Sequence, residues 1–111
     1  MERPTTVKVG PFDVKIVEFD KDDEDMKLCF GAFDPMSLKI YLRPDFATKM
    51  LEVETLIHEV LHSVYWIQGI KHGPKNIEEH VVHNMSVGLT QVWRDNPHLI
   101  SWINYSMNGF A

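Results

Sequence analysis

Val53-Glu-Thr-Leu-Ile-His-Glu-Val-Leu-His-Ser-Val-Tyr-Trp-Ile67 is the stretch on which the reading of this chain turns. At about 100° per residue, Val53, Leu56, Ile57, Val60, Val64 and Ile67 share one stripe, the mark of an amphipathic helix with one buried face. His58 and His62 lie almost diametrically opposite. Core histidines would sit within the stripe, so this pair belongs to another surface. That surface also carries Thr55, Tyr65 and Gly69 and is flanked by Leu61 and Trp66, too apolar for open solvent, so another element is expected to cover it. The periodicity extends the helix from about Phe46 to Gln68, with a weak point near Leu51. Asp45, after Arg43-Pro44, is the expected N-cap and Gly69 the stop.

Upstream the pattern changes to that of strands. Val7 to Val9, Phe12 to Phe19, Lys27 to Phe30 and Leu38 to Leu42 read as three or four short antiparallel strands, with Leu38, Ile40 and Leu42 on one face. Asp20 to Asp25 is dense in charge and reads as a solvated hairpin tip. A calcium loop is excluded there, because its glycine position is occupied by Asp25 and its terminal glutamate position by Gly31. Downstream, Ile70 to Lys75 contains Gly73-Pro74 and reads as a loop. A second long helix runs from about Asn76 to Arg94 and ends at Asp95-Asn-Pro97, since proline cannot continue the ladder. A short last helix follows through Ile103, and Asn104 to Ala111 carries no pattern. The expected architecture is α+β: a small antiparallel sheet packed on two long helices, in a single domain spanning residues 1–111.

With 111 residues and 44% apolar content the chain can bury one modest core. Its net charge is −5. Residues 1–55 hold 12 acids and 8 bases, which leaves no basic stripe for nucleic acid. The apolar run around Leu56 to Ile67 is interrupted by His58, Glu59, His62 and Ser63, so a membrane span is not expected. The single cysteine, Cys29, forms no internal disulfide and reads as a small hydrophobe on a strand. The N-terminal segment lacks an export pattern, and together these features predict a cytoplasmic location.

Chemistry concentrates on the helix. His58-Glu-Val-Leu-His62 matches H-E-x-x-H, and residues four apart on a helix sit one above the other, so both imidazoles can bind one metal ion. Glu59, turned about 100° from His58, is then the general base and not a ligand. The donor set suits Zn2+ better than Ca2+ or Mg2+, which prefer oxygen. A third ligand is required, and Gln68 stands where the longer metzincin pattern has its third histidine. The next helix opens with Asn76-Ile-Glu-Glu-His80 and offers Glu78, Glu79, His80 and His83. Glu78 sits within the stripe of Val81, Val82, Met85, Leu89 and Val92. Glu79 shares a face with Ser86, a small residue that would let the two helices approach closely.

Together, the short sheet, the H-E-x-x-H helix and the following helix that opens on Glu78-Glu79 and closes on Arg94-Asp-Asn-Pro97 resemble the minimal gluzincin zinc peptidases of phages and prophages. These are distant relatives of the peptidases that cleave phage immunity repressors. The resemblance spans about Phe12 to Pro97. It implies a zincin-like fold, His58 and His62 as zinc ligands, Glu59 as the catalytic glutamate, and Glu79 or Glu78 as the carboxylate ligand, with Glu79 matching the group's ligand helix better. It also likens Gly31-Ala-Phe-Asp-Pro35 to the strand such enzymes place beside the cleft. The expected activity is zinc-dependent peptide hydrolysis, in a host cytoplasm if the chain is phage-encoded. A peptide or protein substrate is expected to add along residues 38–42 as an edge strand, with no nucleic-acid or membrane partner. Tyr65, His72, His83 and Tyr105 are the candidate oxyanion donors, and Trp66, Trp93 and Trp102 are assigned to the core. The rival reading is a catalytically silent phage-type binding or regulatory protein that keeps zinc as a structural clamp, against which Glu59 argues, since a clamp needs no base.

Overall fold

The computed structural model describes residues 1–20, 22–24, 29–69 and 77–109, the side chains of 77–79 excepted. The chain order is β1 (Thr6–Val9), β2 (Phe12–Glu18), β3 (Gly31–Asp34), β4 (Lys39–Leu42), α1 (Lys49–Ile67), α2 (Ile77–Asp95) and α3 (Pro97–Asn108). The class is α+β, with one four-stranded sheet and three helices.

Period-two alternation builds the sheet. Val7 and Val9, Val14 and Ile16, and Ile40 and Leu42 all point to one face and are buried, while Lys8, Asp13 and Lys15 face away. That face meets Val53, Leu56, Val60 and Val64 of α1, and Val92, Leu99 and Trp102 close the core from α2 and α3. Each such side chain contributes about 1.5–3 kcal/mol by leaving water. The α1 stripe is therefore the expected one, except that Ile57 stays at the surface, 37% exposed, and Ile67 is only partly buried.

The sheet is mixed, not antiparallel. Its order is β1-β2-β4-β3, with β2 and β4 parallel and the other two pairs antiparallel. The chain passes from β2 to the far edge before returning, so β4 is inserted between β2 and β3. This overturns residues 38–42 as an edge strand: both sides of β4 are already hydrogen-bonded, and Leu38 precedes the strand with a left-handed φ of 54°. The third strand also lies later than expected, at Gly31–Asp34 and not Lys27–Phe30; residues 27 and 28 lie outside the described residues. The turn after it is fastened by Asp34, whose carboxylate accepts from the Met36 N–H at 3.0 Å and the Ser37 hydroxyl at 2.7 Å. These bonds hold the Asp34 carboxyl below the usual carboxylate range.

The outer edge of β1 is covered. Asn96 accepts from the Lys8 N–H at 2.8 Å and donates to the Lys8 carbonyl at 2.9 Å, completing the ladder as a neighbouring strand would. Gln91 accepts from the Gly10 N–H at 2.7 Å. Among the described residues, no strand pairs with the outer edge of β3.

Several boundaries move. The N-cap of α1 is Thr48, whose side chain accepts from the Leu51 N–H at 3.1 Å, and not Asp45. The helix nevertheless stops ahead of Gly69 as expected: Ile67 is its last residue, Gln68 its C-cap, and Gly69 follows with φ at +62°. The last helix runs on to Asn108 and buries Trp102 completely. Trp66 and Trp93, expected in the core, are instead 50% and 56% exposed, and the Trp66 ring meets Phe33 edge-on at 6.4 Å. Among the described residues, no helix is long and apolar enough to cross a membrane.

Candidate metal centre

Two glycines bring the parts of the site together. Added to Gly31, a Cβ would lie 2.8 Å from the Thr55 methyl and 3.0 Å from the Tyr41 carbonyl, so only glycine lets α1 lie directly against β3. At Gly88 a Cβ would collide with the Val64 side chain, so α2 packs on α1 through backbone. Close approach of the two helices is thus real, but the residue that allows it is Gly88; Ser86 is exposed, its hydroxyl turned back to the His83 carbonyl.

On α1, Thr55 and Ser63 return their hydroxyls to the carbonyls of Leu51 and Val60, which keeps small polar groups satisfied on the buried side. The helix is unbroken, so His58 and His62 stand one turn apart. Their Nε2 atoms are 3.1 Å from each other, with the rings edge to face at 4.8 Å between centroids. The 3.1 Å is a hydrogen-bond separation between the two rings, and it is also close to the separation of about 3.3 Å between two nitrogens held by one tetrahedral zinc at 2.0–2.1 Å. Neither histidine is buried, whereas Glu59 is only 6% exposed. Burial is the largest influence on the Glu59 carboxyl and pushes it above the usual carboxylate range; the neighbouring His58 and His62 pull the other way.

Two clefts meet at His58. One, of about 350 Å³, is bounded by Phe30, Gly31, Leu51 and Thr55, with Glu59 and His58 at one end. The other, of about 250 Å³, runs past His62 and is bounded by Leu61, Tyr65, Val81 and Met85. The cover expected over the histidine face is therefore partial, supplied by the first turns of α2 on one side and by β3 on the other. Cys29 lines the first cleft and is half-buried.

The remaining candidates divide. The side chains of Glu78 and Glu79, and His72 altogether, lie outside the described residues. His80 and His83 are exposed, with His80 engaged by Asn84, and they form no group of three with the histidine pair. No group of three or more histidine, cysteine or acidic side chains that could hold a metal is found among the described residues. Of the oxyanion candidates, Tyr65 shares the second cleft, while His83 and Tyr105 line neither. Val82, expected in the α2 stripe, is 55% exposed, and the face of α2 that meets the histidines carries Val81 and Met85. Compared with known proteins, the chain matches no family model, no curated protein and no solved structure.

Proposed function

We propose that the chain is a zinc-dependent peptidase of the gluzincin type. The observation that carries this reading is the pair of Nε2 atoms 3.1 Å apart, with a buried carboxylate at the next residue and a cleft on either side. His58 and His62 would hold the zinc together with a carboxylate from the first turn of α2. For that third ligand Glu79 and Glu78 are the candidates: Glu79 matches the ligand helix of the group the chain resembles, and Glu78 precedes Val81 and Met85 by three and seven positions. Glu79 shares its face with Ser86, which is exposed. The metal, when bound, supplies Lewis acidity toward a peptide carbonyl and a water molecule. Glu59, held out of solvent in the same cleft, takes the proton from the attacking water and returns it to the leaving nitrogen.

The sheet supplies a place for the substrate backbone. The Arg43 N–H donates to the Phe30 carbonyl at 3.0 Å, so in this register Ala32 bonds to Tyr41, and the backbone groups of Gly31 and Phe33 face outward. An extended peptide adding to β3, in place of the 38–42 strand, would lie beside Glu59 and His58. With Asn96 and Gln91 occupying the β1 edge, β3 is the edge left for strand addition among the described residues.

Elemental analysis of protein purified without chelator, combined with a peptide-library cleavage screen, tests the reading. Close to one zinc per chain is expected. Glu59→Gln should retain the zinc and lose cleavage, whereas His58→Ala and His62→Ala should lose both. Zinc retention together with no cleavage by the unaltered chain would leave a structural clamp; absence of any transition metal would remove the site.

A further inference from the structure

Among the described side chains, the two clefts meeting at His58 differ in charge. Beyond the histidines, the one beside α2 is walled by Leu61, Val81, Met85 and the Tyr65 ring. The one beside β3 adds acid to apolar walls: Glu54 and Glu59 line it together with Phe30 and Leu51. Glu54 is exposed and enters no hydrogen bond or ion pair among the described residues. Arg43 does not neutralise it, since its guanidinium lies over the Phe30 ring at 5.4 Å and its Nε is 3.5 Å from Asp45. The surrounding half of the sequence, residues 1–55, carries 12 of the 16 acids.

We propose that the β3-side cleft takes a lysine or arginine side chain of the peptide substrate, while an apolar side chain of the same peptide enters the α2-side cleft. This rests on the peptidase reading above. Lysine and arginine lay their methylene stems on apolar surface and keep their charged heads in water, which fits a cleft lined by Phe30 and Leu51 and by the exposed Glu54 carboxylate. A carboxylate beside low-dielectric walls attracts a cation more strongly than one in open water. An acidic side chain in the same cleft would face Glu54 and Glu59 together, so selection includes repulsion as well as attraction. Among the described side chains the second cleft carries no acid, and its walls of Leu61, Val81 and Met85 reward apolar burial.

The test titrates the isotope-labelled chain, followed by amide NMR shifts, with capped tetrapeptides: acetyl-Gly-Lys-Leu-Gly-amide, acetyl-Gly-Leu-Lys-Gly-amide, and versions with glutamate or leucine replacing lysine. The two orders cover both chain directions along β3. The better lysine peptide should shift the amides of Leu51 and Thr55 and bind roughly three- to fivefold tighter than its glutamate and leucine counterparts, the scale of one partly exposed ion pair. Glu54→Lys should reverse the lysine–glutamate order. Equal affinities, preference for the leucine peptide, no binding, or shifts confined to other surfaces would overturn the inference. The zinc-loaded chain is then incubated with the same peptides and the products are identified by mass spectrometry. Charge-selective binding without cleavage would keep the cleft assignment and remove the peptidase reading. Cleavage without charge preference would keep that reading and overturn this inference.

Discussion

Glu59 and its two histidine neighbours show how much three side chains can specify. One helical turn separates the histidines, so their Nε2 atoms converge to 3.1 Å, while Glu59, about 100° around the helix from His58, turns inward and is buried. The third ligand is a question of the same scale. If the register of Val81 and Met85 governs, Glu78→Ala should weaken zinc binding by far more than Glu79→Ala, measured by competition with a chromophoric chelator. The reverse order would return the ligand to Glu79, and loss only at His80 or His83 would take the chain out of the gluzincin class. A second residue-scale prediction concerns acid. Arg94 and Gln91 donate to Asp95 and lower its carboxyl from the ordinary 3.8 to about 2. The folded state therefore favours the charged form, and the resulting stability is present above pH 3.8 and lost as pH falls from there through about 2. The melting-temperature difference between the chain and Asp95→Asn should shrink across that window and be constant above it.

Among elements, the packing of α1 against α2 and against β3 depends on residues without side chains. Gly88→Ala should gain up to about 1 kcal/mol of helix propensity. Overpacking against Val64 costs about 1–3 kcal/mol, so the net change should be destabilising in denaturant melts. The β1 edge rests on Asn96. Asn96→Ala removes three hydrogen bonds, two to Lys8 and one to the Val92 carbonyl, and leaves polar groups of Lys8 without partners; a loss of about 1–3 kcal/mol is expected in the same assay. Neither role was legible in the sequence. Asn96 reads there as part of the stop before a last helix, and Gly88 carries no distinguishing signal, because a local pattern does not reveal which distant backbone a residue approaches. The helix carrying the site was legible, since apolar spacing and the H-E-x-x-H spacing agree on one period and one register.

Across the whole molecule, α3 closes the core through Trp102, which is fully buried and stands above Lys49, whose Nζ lies 5.9 Å from the ring centroid. Trp102→Ala should cost about 3–5 kcal/mol in chemical denaturation. Trp102→Phe should cost less, because it retains an aromatic ring and removes an indole N–H that has no partner among the described residues. What the sequence determined by itself is what local periodicity encodes: the α+β class, the buried stripe of α1, and the placement of His58, Glu59 and His62 on one helix. Tertiary structure alone decided that β4 lies inside the sheet and β3 at its edge, that Gly31 and Gly88 set the helix contacts, and that Trp66 and Trp93 remain at the surface. Period and spacing are properties of neighbours along the chain. Strand order, edge exposure and close approach depend on residues far apart in sequence, whose pairing is chosen only when the whole core is assembled.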